Sequence, residues 1–208
     1  DLHPVGNPHC KEFFSAMPMP IELTPTEIPA VKVVKTAKFV DDRGFFTESY
    51  SRGPWHAAGM TQEFIQDNLS NSRKGTVRGL HYQIDPAAMG KLVRCLRGAI
   101  FDVAVDIRKG SPTFGNYVAR ELSEENGLAL WVPAGFAHGF VALAENSLVL
   151  YKCDAQHSPA HERAISYKCP TINIAWPLAP TVVSSKDEAA PGLHDAEYNF
   201  VYREETNT

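Results

Sequence analysis

The densest grouping of chemically useful side chains in this chain is 78-RGLHYQ-83, followed by Lys91 and Arg94. An imidazole changes charge near neutral pH and so serves as a general base or acid, while guanidinium and ammonium groups hold anions. On the strands of a small barrel such side chains project inward and converge on one cavity. Arg78 and His81 are an odd number of positions apart, so a regular strand turns them to opposite faces. Gly79 between them is able to host a bulge that re-aims one, and periodicity alone leaves the choice open. The segment 99-AIFDVAVDI-107 alternates too: Ile100, Asp102, Ala104 and Asp106 share one face, and Phe101, Val103, Val105 and Ile107 the other. One face of that strand is therefore acidic.

Several other chemistries leave no trace. The chain has no G-x-G-x-x-G, G-x-x-x-x-G-K-[ST], G-x-S-x-G or H-E-x-x-H, which disfavours the parallel nucleotide-binding folds. With 20 Lys and Arg against 24 Asp and Glu, the net charge of −4 supplies no broad positive field for a nucleic acid. A small anion needs only a local cluster of Arg and Lys. No apolar run approaches the roughly 20 residues that span a bilayer, and the N-terminal residues do not read as a signal peptide, so a cytoplasmic protein with no membrane partner is expected. Four cysteines, Cys10, Cys95, Cys153 and Cys169, lack C-x-x-C spacing and are expected as free buried thiols.

The elements that must position these groups are short. At 208 residues, 44% of them hydrophobic, the chain has material for one core and little room for two domains. Residues 1–30 hold Pro4, Pro8, Pro18, Pro20, Pro25 and Pro29, a density that predicts an arm outside helix and ladder. Strand-like runs follow at 31–40, 62–72, 75–83, 90–98, 99–107, 115–123, 128–133, 136–143, 147–155 and 162–167, with breakers such as 109-KGSP-112 and 133-PAG-135 between them. Turn signals at that spacing predict an all-β antiparallel sandwich or barrel. A helix-like composition appears only over residues 53–63, and residues 192–208 are expected as a polar tail wrapping over the barrel.

Seven segments, 42-DRGFFTES-49, 65-IQDN-68, 78-RGLHYQ-83, 91-KLVRCLRGAIFDVAVDIRKGSPTFG-115, 131-WVPAGFAHGF-140, Tyr151-Lys152 and 184-SSKDE-188, follow one another in a recognisable order and spacing. In them the chain resembles the dTDP-4-dehydrorhamnose 3,5-epimerase family from about Val31 to Pro191. The resemblance implies a cupin-type jelly roll over residues 31–191, usually a homodimer. It implies action on a dTDP-linked 4-keto-6-deoxy sugar without metal or redox cofactor. The C3 and C5 protons of such a sugar are both α to the C4 ketone, so a base removes them if the enolate is stabilised.

By the same resemblance His81 is the base, oriented by Asp187, and Lys91 stands near the C4 oxygen. Tyr151 returns a proton from the opposite face. Phe39, Arg43 and Glu48 match positions near the nucleotide that reach across a dimer to the partner's pocket. Gln66, Asn68, Arg78, His138 and Glu162 match residues lining the sugar and diphosphate. The family pattern Y-K-x-x-x-Y-Y is here 151-YKCDAQH-157, so His157 stands where a Tyr stacks near the thymine, and Tyr167 replaces a usual Trp. Metal-binding cupins carry H-x-H, whereas His81 is followed by Tyr82 and Gln83, and no metal is expected.

The reading is an epimerase that converts dTDP-4-dehydro-6-deoxy-D-glucose to dTDP-4-dehydro-L-rhamnose. The alternatives are a monoepimerase of one carbon and a non-catalytic cupin that binds a nucleotide sugar.

Overall fold

The structure is a computed structural model and describes residues 20–204; residues 1–19, with Cys10, and 205–208 lie outside the described residues. In chain order the strands are β1 (Ile21–Pro25), β2 (Lys32–Thr36), β3 (Phe39–Asp41), β4 (Gly44–Phe46), β5 (Gln66–Ser72), β6 (Val77–Gln83), β7 (Lys91–Arg97) and β8 (Ala99–Asp106). They continue with β9 (Tyr117–Ser123), β10 (Ala129–Val132), β11 (Phe136–Ala142), β12 (Ser147–Cys153) and β13 (Glu162–Ala164). Two short helices, α1 (Arg52–Ala57) and α2 (Ser185–Glu188), flank them. A six-stranded sheet runs β1-β2-β10-β7-β12-β5, a five-stranded sheet β13-β6-β11-β8-β9, and β3 pairs with β4 as a separate hairpin. All these pairings are antiparallel.

The period-2 alternation explains how two sheets share one core. Ile100 and Ala104 of β8, Val118 and Leu122 of β9 and Phe136 and Phe140 of β11 meet Val93, Cys95, Leu130 and Val149 from the other sheet. The opposite side of β8, with Val103 and Val105, and Ile107 just beyond the strand pack outward under Ile165, Ile172, Leu193 and Phe200. Val201 bridges to Lys109, and the Tyr82 hydroxyl donates to the Glu197 carbonyl at 2.7 Å. A third cluster lies outside the six-stranded sheet, where Trp55 and Met60 cover Val34, Leu92 and Trp131.

Every run read as a strand contains one, and two expectations are corrected. The proline-rich stretch expected as an arm up to residue 30 joins the sheet at Ile21. As an edge strand β1 needs its N–H groups on one side only, and Pro20 and Pro25 fall at its limits, where a missing donor breaks no ladder. The helix expected over residues 53–63 is confined to α1, because Gly59 at φ +95° turns the chain out of the helical region. Cys95, Cys153 and Cys169 are free and buried.

Candidate active site

His81 is aimed by a bulge. In the β6–β11 pair His138 lies opposite His81 and Phe140 opposite Arg78, so Gly79 and Leu80 together face Gly139. Gly79 has φ +127°, and a Cβ there would stand 2.5 Å from the Gly139 Cα and 2.8 Å from the His138 carbonyl oxygen. The extra residue cancels the odd spacing between Arg78 and His81, and both side chains line one cavity.

The imidazole is held by a carboxylate. His81 Nε2 is 2.6 Å from Asp187 Oδ1, and the Gly79 N–H donates to Asp187 Oδ2 at 3.4 Å. Asp187 sits on α2, where its own N–H donates to the N-cap hydroxyl of Ser184 at 3.1 Å. Burial pushes the Asp187 carboxyl up, but hydrogen bonds from His81, Gly79 and Ser184 and the charge of His81 outweigh it and leave it below its ordinary value. An ionised Asp187 accepts from Nε2–H, so Nδ1 is the free basic nitrogen.

From the facing sheet come Lys91 at the start of β7 and Tyr151 on β12. Lys91 Nζ spans the gap and donates to the His81 carbonyl at 3.4 Å. Burial lowers the Lys91 ammonium pKa, against the opposing pull of Cys153, Asp102 and Glu162. Burial also raises the Tyr151 phenol, so it holds its proton beyond the ordinary range and is a donor at neutral pH.

Two adjoining cavities of about 310 and 490 Å³ share His81, Lys91, Tyr151 and Glu162 in their walls. Gln66, Asn68 and His157 line the first, and Arg78, His138 and Asp187 the second. Arg78 Nε donates to Ser72 Oγ at 3.0 Å. His138 Nε2 is 2.8 Å from Asp102 Oδ1, a second buried imidazole–carboxylate pair. Glu162 is 2.7 Å from Lys186 and 3.6 Å from the His157 imidazole. Burial raises Glu162, but Lys186, His81 and His157 together hold it below its usual range. The His157 side chain is 52% exposed, and the His157 backbone N–H donates to Gln66 Oε1 at 2.9 Å.

The structure therefore gathers ten of the residues read from the sequence: His81, Lys91, Tyr151, Asp187, Gln66, Asn68, Arg78, His138, His157 and Glu162. It does not bring Phe39, Arg43 or Glu48 into the cavity of their own chain. Phe39 and Arg43 lie on the β3–β4 hairpin, which pairs with itself, and Arg43 folds back to Asp41 with a 3.0 Å Nε bond. Sequence reasoning passed over Lys186 and Asp102. Their signals were adjacency to Asp187 in S-S-K-D and the acidic face of β8. Among the described residues no group of three or more His, Cys, Asp or Glu is arranged to hold a metal ion.

A two-sheet jelly roll that sets a carboxylate-held imidazole on one wall against an ammonium and a phenol on the other is a cupin arranged for proton transfer. The dTDP-4-dehydrorhamnose 3,5-epimerase family model matches residues 25–195, and the chain belongs to that family of sugar-nucleotide epimerases. A dTDP-4-dehydrorhamnose 3,5-epimerase of Sinorhizobium fredii is 49% identical over 178 residues, 84% of this chain and 91% of the relative. The crystal structure of a dTDP-6-deoxy-D-glucose-3,5-epimerase from Legionella pneumophila, in complex with dTDP-4-keto-L-rhamnose, has TM-score 0.84 and 43% identity, covering 88% of this chain and 99% of that one. A 3'-monoepimerase from Streptomyces bikiniensis in complex with dTDP-quinovose has TM-score 0.78 and 31% identity, covering 82% and 87%.

Proposed function

We propose that this protein epimerises dTDP-4-dehydro-6-deoxy-D-glucose at C3 and C5 to dTDP-4-dehydro-L-rhamnose, with no metal or redox cofactor. One observation carries the reading: the base and the proton donor line one cavity from opposing sheets, His81 from β6 and Tyr151 from β12. Inversion requires that arrangement, because the proton must leave one face of the sugar and return to the other.

In each half of the reaction His81 Nδ1 takes the proton from carbon, and the electron pair passes to the C4 oxygen as an enolate. Asp187 stabilises the imidazolium, and the Lys91 ammonium stabilises the enolate oxygen. The Tyr151 phenol then protonates the carbon from the far side. Solvent reprotonates the phenolate, and the imidazolium releases its proton to solvent. Arg78 offers a planar fork to the diphosphate. Gln66, Asn68, His138, His157 and Glu162 complete the sugar and nucleotide contacts.

The working form in this reading is a homodimer in which Phe39, Arg43 and Glu48 complete the partner's site. The support is an exposed apolar hairpin, with Val40 75% and Phe45 60% accessible. The compartment is the cytoplasm, where the free buried thiols of Cys95, Cys153 and Cys169 persist. No helix among the described residues is long and apolar enough to cross a membrane.

The test is proton NMR of dTDP-4-dehydro-6-deoxy-D-glucose with the protein in deuterated buffer. The expected result is loss of both the C3 and C5 signals. Loss of one alone replaces the reading with a monoepimerase, and loss of neither with a nucleotide-sugar-binding cupin.

A further inference from the structure

The end of β7 that delivers Lys91 is closed by a side chain. Gly90 immediately precedes Lys91 and is buried, and its N–H donates to Asp154 Oδ1 at 2.6 Å. The Asp154 N–H donates back to the Gly90 carbonyl at 3.3 Å. The backbone register between β7 and β12 ends with Lys91 opposite Cys153, so the Asp154 carboxylate stands in for the next carbonyl of the ladder. Gly90 is shaped to admit it: a Cβ there would lie 2.4 Å from Trp131 Cη2 and 2.7 Å from Asp154 Oδ2. The ammonium's own hydrogen bond, to the His81 carbonyl, is long at 3.4 Å. Its position therefore depends on the backbone from which the side chain leaves.

We propose that Asp154 is a positioning residue for the epimerisation: by accepting the Gly90 N–H it fixes where Lys91 stands at the C4 oxygen. The inference rests on the role given to Lys91 above. Asp154 is not among the residues lining either cavity, so it acts through Lys91 and not by touching the sugar.

Asp154→Ala removes the acceptor and leaves a buried N–H unpaired, whereas Asp154→Asn keeps an oxygen in its place. Because a misplaced electrostatic group loses effect steeply, Asp154→Ala is expected to lower kcat about tenfold with KM within about twofold. Asp154→Asn should restore most of kcat. In a Lys91→Met background, Asp154→Ala should cost nothing further, since the two changes remove one interaction. Full additivity, or an unchanged kcat in Asp154→Ala, overturns the proposal. If Asp154→Ala does not fold, Asp154→Glu takes its place: it keeps the charge but displaces the contact, and should lose activity where Asp154→Asn does not.

A substrate-free reading separates this proposal from the substrate assignment. NMR titration of the Lys91 side chain should move with Asp154→Glu and stay in place with Asp154→Asn. A Lys91 signal indifferent to both overturns the proposal even in a fully active enzyme. A wild-type protein that exchanges neither C3 nor C5 overturns the proposed function, while the Lys91 signal still decides whether Asp154 positions Lys91.

Discussion

In the proposed mechanism His81 and Tyr151 divide the proton transfers, and their variants should fail differently. His81→Ala removes the base and should lower deuterium exchange at C3 and C5 by about 10²–10⁴-fold, the usual contribution of a positioned proton-transfer group. Tyr151→Phe leaves the base and the enolate stabiliser in place. Solvent deuterium should still enter at C5 while inversion falls, because the carbon is then reprotonated from the face it lost its proton to. NMR of the recovered sugar distinguishes these outcomes, and normal inversion in Tyr151→Phe would show that another group supplies the second proton. Asp187 adds a pH signature. Its folded-state carboxyl lies below its ordinary value, so the stability it contributes is present above the ordinary carboxylate pKa of about 3.9 and lost as pH falls through the folded value. Thermal melts should therefore show wild type losing stability in acid faster than Asp187→Asn, with the two converging below that window.

At the scale of the element, the bulge in β6 holds the site in register. Gly79→Ala must place a Cβ 2.5 Å from the Gly139 Cα at φ +127°, so the β6–β11 pair has to shift. A cost of about 1–3 kcal/mol is expected, which for a chain of this size lowers Tm by roughly 2–12 °C. Activity should fall further than stability, since Arg78 and His81 lose their common aim. A fully active Gly79→Ala would separate the bulge from catalysis. The long strands were legible because burial on alternate faces imprints itself on sequence, and β8 is the clearest case, with its two faces entering two different cores. The short elements were not. β1 is hidden by prolines that only an edge position tolerates. The four residues of α2 read as an ordinary loop, although Ser184 and Asp187 carry the S-x-x-[DE] spacing of an N-cap. The resemblance supplied the pairing of Asp187 with His81; their separation of 106 residues hides it from any local pattern.

At the scale of the whole molecule, the outer face of the six-stranded sheet is only half covered. Leu92 lies buried in the cluster beneath Trp55, while Leu96, at the bulged far end of the same strand, is 41% exposed. Leu69 on the edge strand β5 is 62% exposed, and the β3–β4 hairpin adds Phe39, Val40 and Phe45. The hairpin's base is fixed: Thr47 Oγ1 donates to the Ala37 carbonyl at 2.7 Å and lies 3.0 Å from Thr36 Oγ1. A pinned hairpin with exposed apolar strands is suited to dock on a second copy, and in the proposed dimer Phe39, Arg43 and Glu48 serve the partner's cavity rather than their own. Charging the hairpin with Val40→Asp and Phe45→Asp together should convert the proposed dimer to a monomer in sedimentation velocity and leave the thermal transition nearly in place. Epimerisation should fall in parallel, chiefly through KM, because the nucleotide end of the site loses the partner's residues while His81, Lys91 and Tyr151 stay as they are. Raising the protein concentration should recover activity if the variant dimer is merely weakened. A monomeric variant with unchanged KM would show instead that each chain builds its whole site alone, and that Phe39, Arg43 and Glu48 serve the surface rather than the substrate.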